Sequence, residues 1–164
     1  MMSAVSVEYR ESTYAVCEMC EQDLETIIGI EQAAQAHPWT RGHFISSIES
    51  SHHCYVLRHE EQIVAYAITS TAADEAELLN ITVSPQQQRQ GLGRLLLEHI
   101  SETFNASIHT LFLEVRASNQ PAIALYDALY FNEVGLRPNY YPSKNGSRED
   151  AIIMAKPLGS TMEL

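Results

Sequence analysis

The heptapeptide Gln88-Arg89-Gln90-Gly91-Leu92-Gly93-Arg94 puts two glycines and two of only ten basic residues between an apolar run and an amphipathic one. Gly91 and Gly93 stand where a strand gives way to a helix. There, unpaired N–H groups point outward and the helix dipole adds partial positive charge. Glycine lacks the Cβ that would keep a pyrophosphate away from those amides, and Arg89 and Arg94 add full charges beside them. The pattern fits a phosphate-binding loop; a tight turn flanked by solvated arginines is the structural alternative.

Three other residues are of types that could move protons or fix a ligand. Glu114 interrupts the apolar run TLFLEV, and strand alternation turns it away from Leu111, Leu113 and Val115. It is either the partner of an arginine such as Arg116 or a general base. Tyr126 belongs to a helical apolar set with Ala122, Ile123, Leu125 and Leu129, so core packing and proton donation both fit it. Asn119 stands where a helix cap would, just before Pro121.

The elements that must position these residues follow from periodicity. VSVEY (5–9) reads as an opening strand, and the apolar positions after Glu21 as a helix ending near His37-Pro38. Thr40 caps a second, short helix carrying Phe44, Ile45 and Ile48. Strands are expected over 54–59, 62–71 and 76–83, the first two joined by a turn at Glu60-Glu61. A helix over about 91–105, a strand over 110–115 and a helix over about 120–129 come next. Two strands, 131–138 and 151–157, flank a polar loop that begins at Asn139. This order predicts one α/β domain over 1–164, with a mixed, mostly antiparallel sheet of about seven strands and about four helices.

At 164 residues, 45% hydrophobic, the chain has enough apolar material for a full core. Its net charge of −11 disfavours nucleic acid and anionic membranes and suits a basic partner. No run approaches a membrane span and the N-terminus lacks a signal-peptide pattern, so a soluble cytoplasmic protein is expected. Cys17, Cys20 and Cys54 are an odd number, which argues against a disulfide framework. Cys17 and Cys20 have the spacing of half a zinc site, with His52, His53 and Cys54 as a conceivable other half, but ordinary reduced thiols and no metal are the expectation.

Among phosphate loops, a Walker motif needs GK[ST], which does not occur, and a Rossmann fingerprint wants a small residue where Leu96 stands. What remains is Q/R-x-x-G-x-G/A, matched by Gln88 to Gly93, which resembles the pyrophosphate loop of the GCN5-related N-acetyltransferases. The resemblance runs through HPWT (37–40), LLNITVSP (78–85), RQGLGRLLLEHI (89–100), LEVRASNQPAIALYDALYF (113–131) and RPNYYPSKNGSREDAIIMA (137–155). In order and spacing these are similar to the RimI-type, ribosomal-protein-alanine branch of that family.

The resemblance implies acetyl-CoA as cosubstrate, with the backbone of Ile81, Thr82 and Val83 on its acetyl and pantetheine portion. Arg89, Gln90, Gly91, Leu92, Gly93 and Arg94 would hold its pyrophosphate, and Asn119 would also contact it. It implies direct transfer without an acyl-enzyme: Glu114 as base, directly or through water, Tyr126 as acid, and Asn139, Tyr140 and Tyr141, with Glu149 and Asp150, along the acceptor groove. The implied acceptor is the N-terminal alanine of a basic small-subunit ribosomal protein, the eighteenth by family analogy. The same chemistry on a lysine or small amine, and a non-catalytic acyl-CoA-binding regulator, are the alternatives. One departure stands out: Tyr130 occupies a place where relatives usually carry glycine, at a cost of about 1 kcal/mol if the backbone there is left-handed.

Overall fold

Arg10 and Glu11, at φ of 48° and 64°, fold strand β1 (Val5–Tyr9) back onto β2 (Ser12–Glu18). Glu60 and Glu61, at 50° and 69°, do the same between β3 (His53–His59) and β4 (Gln62–Ala72). Two consecutive left-handed residues match the right-handed twist of the strands they join. The computed structural model describes residues 4–104 and 106–159 and divides into two units.

The first unit runs to Ser70 and adds Leu79–Ile100. In it β1, β2, β3 and β4 pair antiparallel in sequence order, with Val7 opposite Tyr14, Cys17 opposite Val56, and Val56 opposite Tyr66. Helix α1 (Leu24–Ala34) follows a single 3-10 turn, and α2 (Arg41–Glu49) starts at the predicted cap, where Thr40 Oγ1 accepts from the His43 amide at 3.3 Å. Leu24, Ile27, Phe44, Val56, Tyr66 and Ile68 are its buried core. Each such side chain stabilises the fold by about 1.5–3 kcal/mol.

The second unit comprises Thr71–Leu78 and the chain from Ser101 onward. Strand β5 (Glu75–Val83) and helix α3 (Leu92–Thr103) contribute to both units. The first half of β5 runs parallel to β6 (Thr110–Arg116), with Glu77 opposite Phe112. After α4 (Gln120–Ala128), β7 (Asn132–Pro142) and β8 (Arg148–Pro157) form a hairpin, and β8 lies between β7 and β6, antiparallel to both. Leu111, Leu113 and Val115 are buried and alternate with Phe112 and Glu114, as the pattern predicts.

Among the described residues the strand order is β1-β2-β3-β4-β5-β6-β8-β7, a mixed sheet with four α-helices. There is one strand more than expected, because Ser12–Glu18 is β2. The expected loop from Asn139 is instead the continuation of β7, which absorbs Asn139 at φ 53° in an irregular stretch between Arg137 and Tyr141. Helix α3 closes at Thr103; Asn105, the expected end, lies outside the described residues.

Candidate active site

In the first unit the glycine loop is held from below by Tyr9. Its hydroxyl donates to the Gln90 carbonyl at 2.8 Å, and a Cβ on Gly91 would fall 2.3 Å from that same oxygen. Gly91 also has φ 82°, so both conformation and space require glycine there. Arg89 is left-handed too, at φ 65°, and exposed. The first helical bond of α3 is Leu95 N to Gly91 O at 3.0 Å, which leaves the amides of Leu92, Gly93 and Arg94 without partners in the helix. These amides open the helix that the sequence predicts after the glycines, and the Arg94 guanidinium is shared with Glu98 at 2.9 Å.

Upstream, the Thr82 side chain points inward, 3% exposed, and its hydroxyl accepts from Gln35 Nε2 at 2.9 Å. It also lies 2.8 Å from Asn80 Oδ1 and 3.2 Å from Glu31 Oε1. Thr82 therefore offers a ligand its backbone, not its side chain, while Ile81 and Val83 are half-buried on the alternate face. Glu31, 1% exposed, anchors this cluster by accepting from the Trp39 amide, Tyr66 hydroxyl and Asn80 amide at 2.9, 2.6 and 3.2 Å. Those three donors are what a buried carboxylate needs when no cation is beside it. Buried, and bonded to Glu31, the Tyr66 phenol is raised far above its ordinary value.

In the second unit Glu114 is not bound to Arg116. Its Oε1 accepts from Arg137 Nε at 2.8 Å, whereas Arg116 pairs with Glu149 at 2.9 Å and donates to the Pro142 carbonyl at 3.0 Å. The sheet register explains the exchange. Arg116, Ala151 and Arg137 share one row across β6, β8 and β7, and Glu114, Ile153 and Gly135 the next row on the same face, two residues along, so both arginines neighbour Glu114 on that face. The nearer cation in sequence is taken by Glu149.

Tyr126 is 8% exposed, with its ring 5.7 Å from that of Phe131. Burial, then the neighbouring Tyr141, push its phenol up to about 12, so it stays protonated through the neutral range. Its hydroxyl has no hydrogen-bond partner among the described residues, so it packs in the core and still carries an uncommitted proton. Asn119 caps α4, its Oδ1 accepting from the Ala122 amide at 3.3 Å. Along β7, the Asn139 amide donates to Asp150 at 2.9 Å. Arg137 lies 5.3 Å from the Tyr140 ring and Arg116 4.4 Å over that of Tyr141. Burial and the charge of Glu114 raise Tyr141 to about 12.

Four residues escape a sequence reading of the site: Arg137, Glu77, Glu31 and Tyr9. Only Glu31 carries a local signal, as the acid inside the apolar helix LETIIGIEQAA. Cys20 donates to Asp23 at 3.3 Å and Cys54 is buried, its thiol pushed up to about 11 by burial and then by Glu18. Among the described residues no three His, Cys, Asp or Glu converge as they would on a metal.

A family model described as "Acetyltransferase (GNAT) family" matches residues 14–131. The [Ribosomal protein bS18]-alanine N-acetyltransferase of Escherichia coli (strain K12) is 51% identical over 137 residues, 83% of this chain and 92% of that relative. The crystal structure of the ribosomal-protein-S18-alanine N-acetyltransferase from Escherichia coli superposes with a TM-score of 0.83 at 46% identity, covering 92% of this chain and 97% of the other. Arabidopsis thaliana NAA60 in complex with acetyl-CoA shares the fold alone, at 16% identity and TM-score 0.78 over 88% of this chain and 98% of that one.

Proposed function

Since the chain belongs to the acetyltransferase (GNAT) family, we propose that residues 1–164 form one domain that acetylates the N-terminal alanine of a ribosomal protein, the counterpart of bS18. Acetyl-CoA supplies the activated acyl group. The amides at the start of α3 that have no partner in the helix, with Arg89 and Arg94, are suited to its diphosphate, and the backbone of Ile81–Val83 to its thioester arm. The net charge of −11 favours a basic acceptor, and no described helix is long and apolar enough to cross a membrane. A cytoplasmic location accords with these features.

An α-amine has a pKa of about 7.7–8.0, so at neutral pH most of it is ammonium and cannot attack a thioester. Glu114 takes that proton, directly or through water. The freed nitrogen bonds to the thioester carbon and gives up its second proton to solvent, the C–S bond breaks, and the sulfur leaves with the electron pair. Tyr126, protonated up to about pH 12, donates to that sulfur. A thiol of ordinary pKa about 8.5 needs only the hydrogen bond, because its thiolate is already a tolerable leaving group.

The observation that carries this reading is a strand carboxylate, 16% exposed, whose sole ion-pair partner among the described residues is a half-exposed arginine that an arriving ammonium can replace. The test is intact-mass analysis after incubation with acetyl-CoA. One peptide begins with free alanine and contains no lysine; the other has a blocked terminus and a free lysine. Gain of one acetyl mass on the first alone is the expected result, and acetylation of the second alone would transfer the assignment to side-chain amines.

A further inference from the structure

Glu114 faces two charged neighbours of the second unit, and only one of them holds it. Arg137 reaches it from β7, its side chain 53% exposed, while Glu114 itself is 16% exposed, so the guanidinium closes the carboxylate from the solvent side. The way across is open because Ala151, the residue between Arg116 and Arg137 in their row, is only a methyl group. The second neighbour is Glu77 on β5. It stands opposite Phe112, and by alternation Phe112 and Glu114 share a face, so Glu77 is the diagonal neighbour of Glu114 on the adjoining strand. Burial and then Glu114 raise Glu77 while Arg137 lowers it, which puts all three groups within electrostatic reach. Among the described residues Glu77 has no hydrogen bond or ion pair of its own.

Two carboxylates therefore share one guanidinium. The other nearby cation, Arg116, is tied to Glu149, the Pro142 carbonyl and the Tyr141 ring. An incoming ammonium would bring the count to two cations for two carboxylates. Like charges left facing each other at low exposure are costly, so balanced pairing is the favoured arrangement.

We infer that Arg137 is a placeholder for the acceptor's ammonium on Glu114, and that Glu77 is the carboxylate to which its guanidinium moves when the acceptor arrives. Arg137 and Glu77 are thus positioning residues that set acceptor affinity without touching the reacting atoms. The inference rests on Glu114 as the proton acceptor. In the resting enzyme Arg137 competes with the acceptor for that carboxylate, and Glu77 weakens the competition by giving the displaced cation a seat.

The experiment is steady-state kinetics of the full chain with an alanine-starting peptide, comparing wild type, R137Q, E77Q and the double variant. R137Q is expected to lower the acceptor KM by roughly two- to fivefold, the range of half-exposed ion pairs, with the acetyl-CoA KM unchanged. E77Q is expected to raise the acceptor KM by a similar factor alone and to change it little in the R137Q background. A merely structural role for Arg137 would raise KM or depress kcat on its removal, and that result overturns the inference. So does an E77Q effect of equal size in both backgrounds, which would mean that Glu77 attracts the acceptor directly. Failure of the parent reading is separately visible, as absence of peptide acetylation by the wild type.

Discussion

Glu31 and Glu114 are both acids set into otherwise apolar elements, one in each unit, and the structure treats them in opposite ways. Glu31 is 1% exposed and surrounded by neutral donors from Trp39, Tyr66, Asn80 and Thr82. Among the described residues Glu114, which keeps some exposure, pairs with one half-exposed cation and has a second carboxylate close by. A carboxylate whose lone pairs are all filled by fixed protein groups is a structural joint, because taking a proton would sacrifice several of those bonds. One filled by a mobile charge is free to exchange it. Satisfaction, not burial alone, distinguishes the two carboxylates here.

The largest expected effects come from exchanging the roles of these two acids in an experiment. Glu114→Gln is expected to reduce kcat by about 10²–10⁴-fold, the usual contribution of a positioned base. Its urea midpoint should stay close to wild type, because a half-exposed ion pair contributes about 0–1 kcal/mol. Glu31→Ala strands at least three donors and should cost about 3 kcal/mol or more in urea unfolding. Acetyl transfer by whatever fraction remains folded should persist. A Glu31→Ala protein of wild-type stability would break the comparison.

Asp23 sharpens it, being a buried acid of the first unit that does have a cation. Its Oδ1 accepts from Arg58 at 2.6 Å and its Oδ2 from the Cys20 amide at 3.0 Å. Burial alone would push its carboxyl up, but the Cys20 amide and Arg58 outweigh it and hold the group below its ordinary value. A carboxylate depressed in the folded state contributes stability that is full above its unfolded pKa, about 3.9, and is lost as pH falls through the folded value. Asp23→Asn should therefore cost about 1–2 kcal/mol at neutral pH, the worth of a hydrogen bond to a charged group. The difference from wild type should shrink below about pH 4, as followed by urea titrations at successive pH values.

Much of this was legible in the sequence wherever the signal is local. The apolar face of α3, the alternation in β6 and the Thr40 cap are each written within a dozen residues, and all are found as expected. What was missed needs partners distant in sequence or a turn without its usual residues. β2 hid because Arg10-Glu11 adopts the left-handed turn that Asn-Gly would announce. The length of β7 hid behind Pro138, Asn139 and Pro142, which read as loop. Arg116, two residues from Glu114, was the obvious ion-pair candidate, but only the register of three strands decides that Arg137 holds it instead. The site's residue types were readable; its pairings were not.

Tyr130 gives the smallest effect and the cleanest sign. The Tyr130 amide donates to Asp127 O at 3.1 Å and the Phe131 amide to Tyr126 O at 3.0 Å, a left-handed helix ending in which glycine usually occupies the place of Tyr130. Its φ is 68° and its side chain is 77% exposed, so the ring gains little by packing while the backbone bears the strain. Relief of that strain in Tyr130→Gly is worth about 1–2 kcal/mol. The extra freedom of glycine in the unfolded chain takes back about 0.4–1 kcal/mol. The balance is a stabilisation of about 0.5–1 kcal/mol, seen as a higher urea midpoint at unchanged slope. Because the change touches only the cap, Tyr126 should keep its place at the end of α4 and kcat should not move. A loss of stability would show that the tyrosine ring covers apolar surface whose burial outweighs the left-handed backbone.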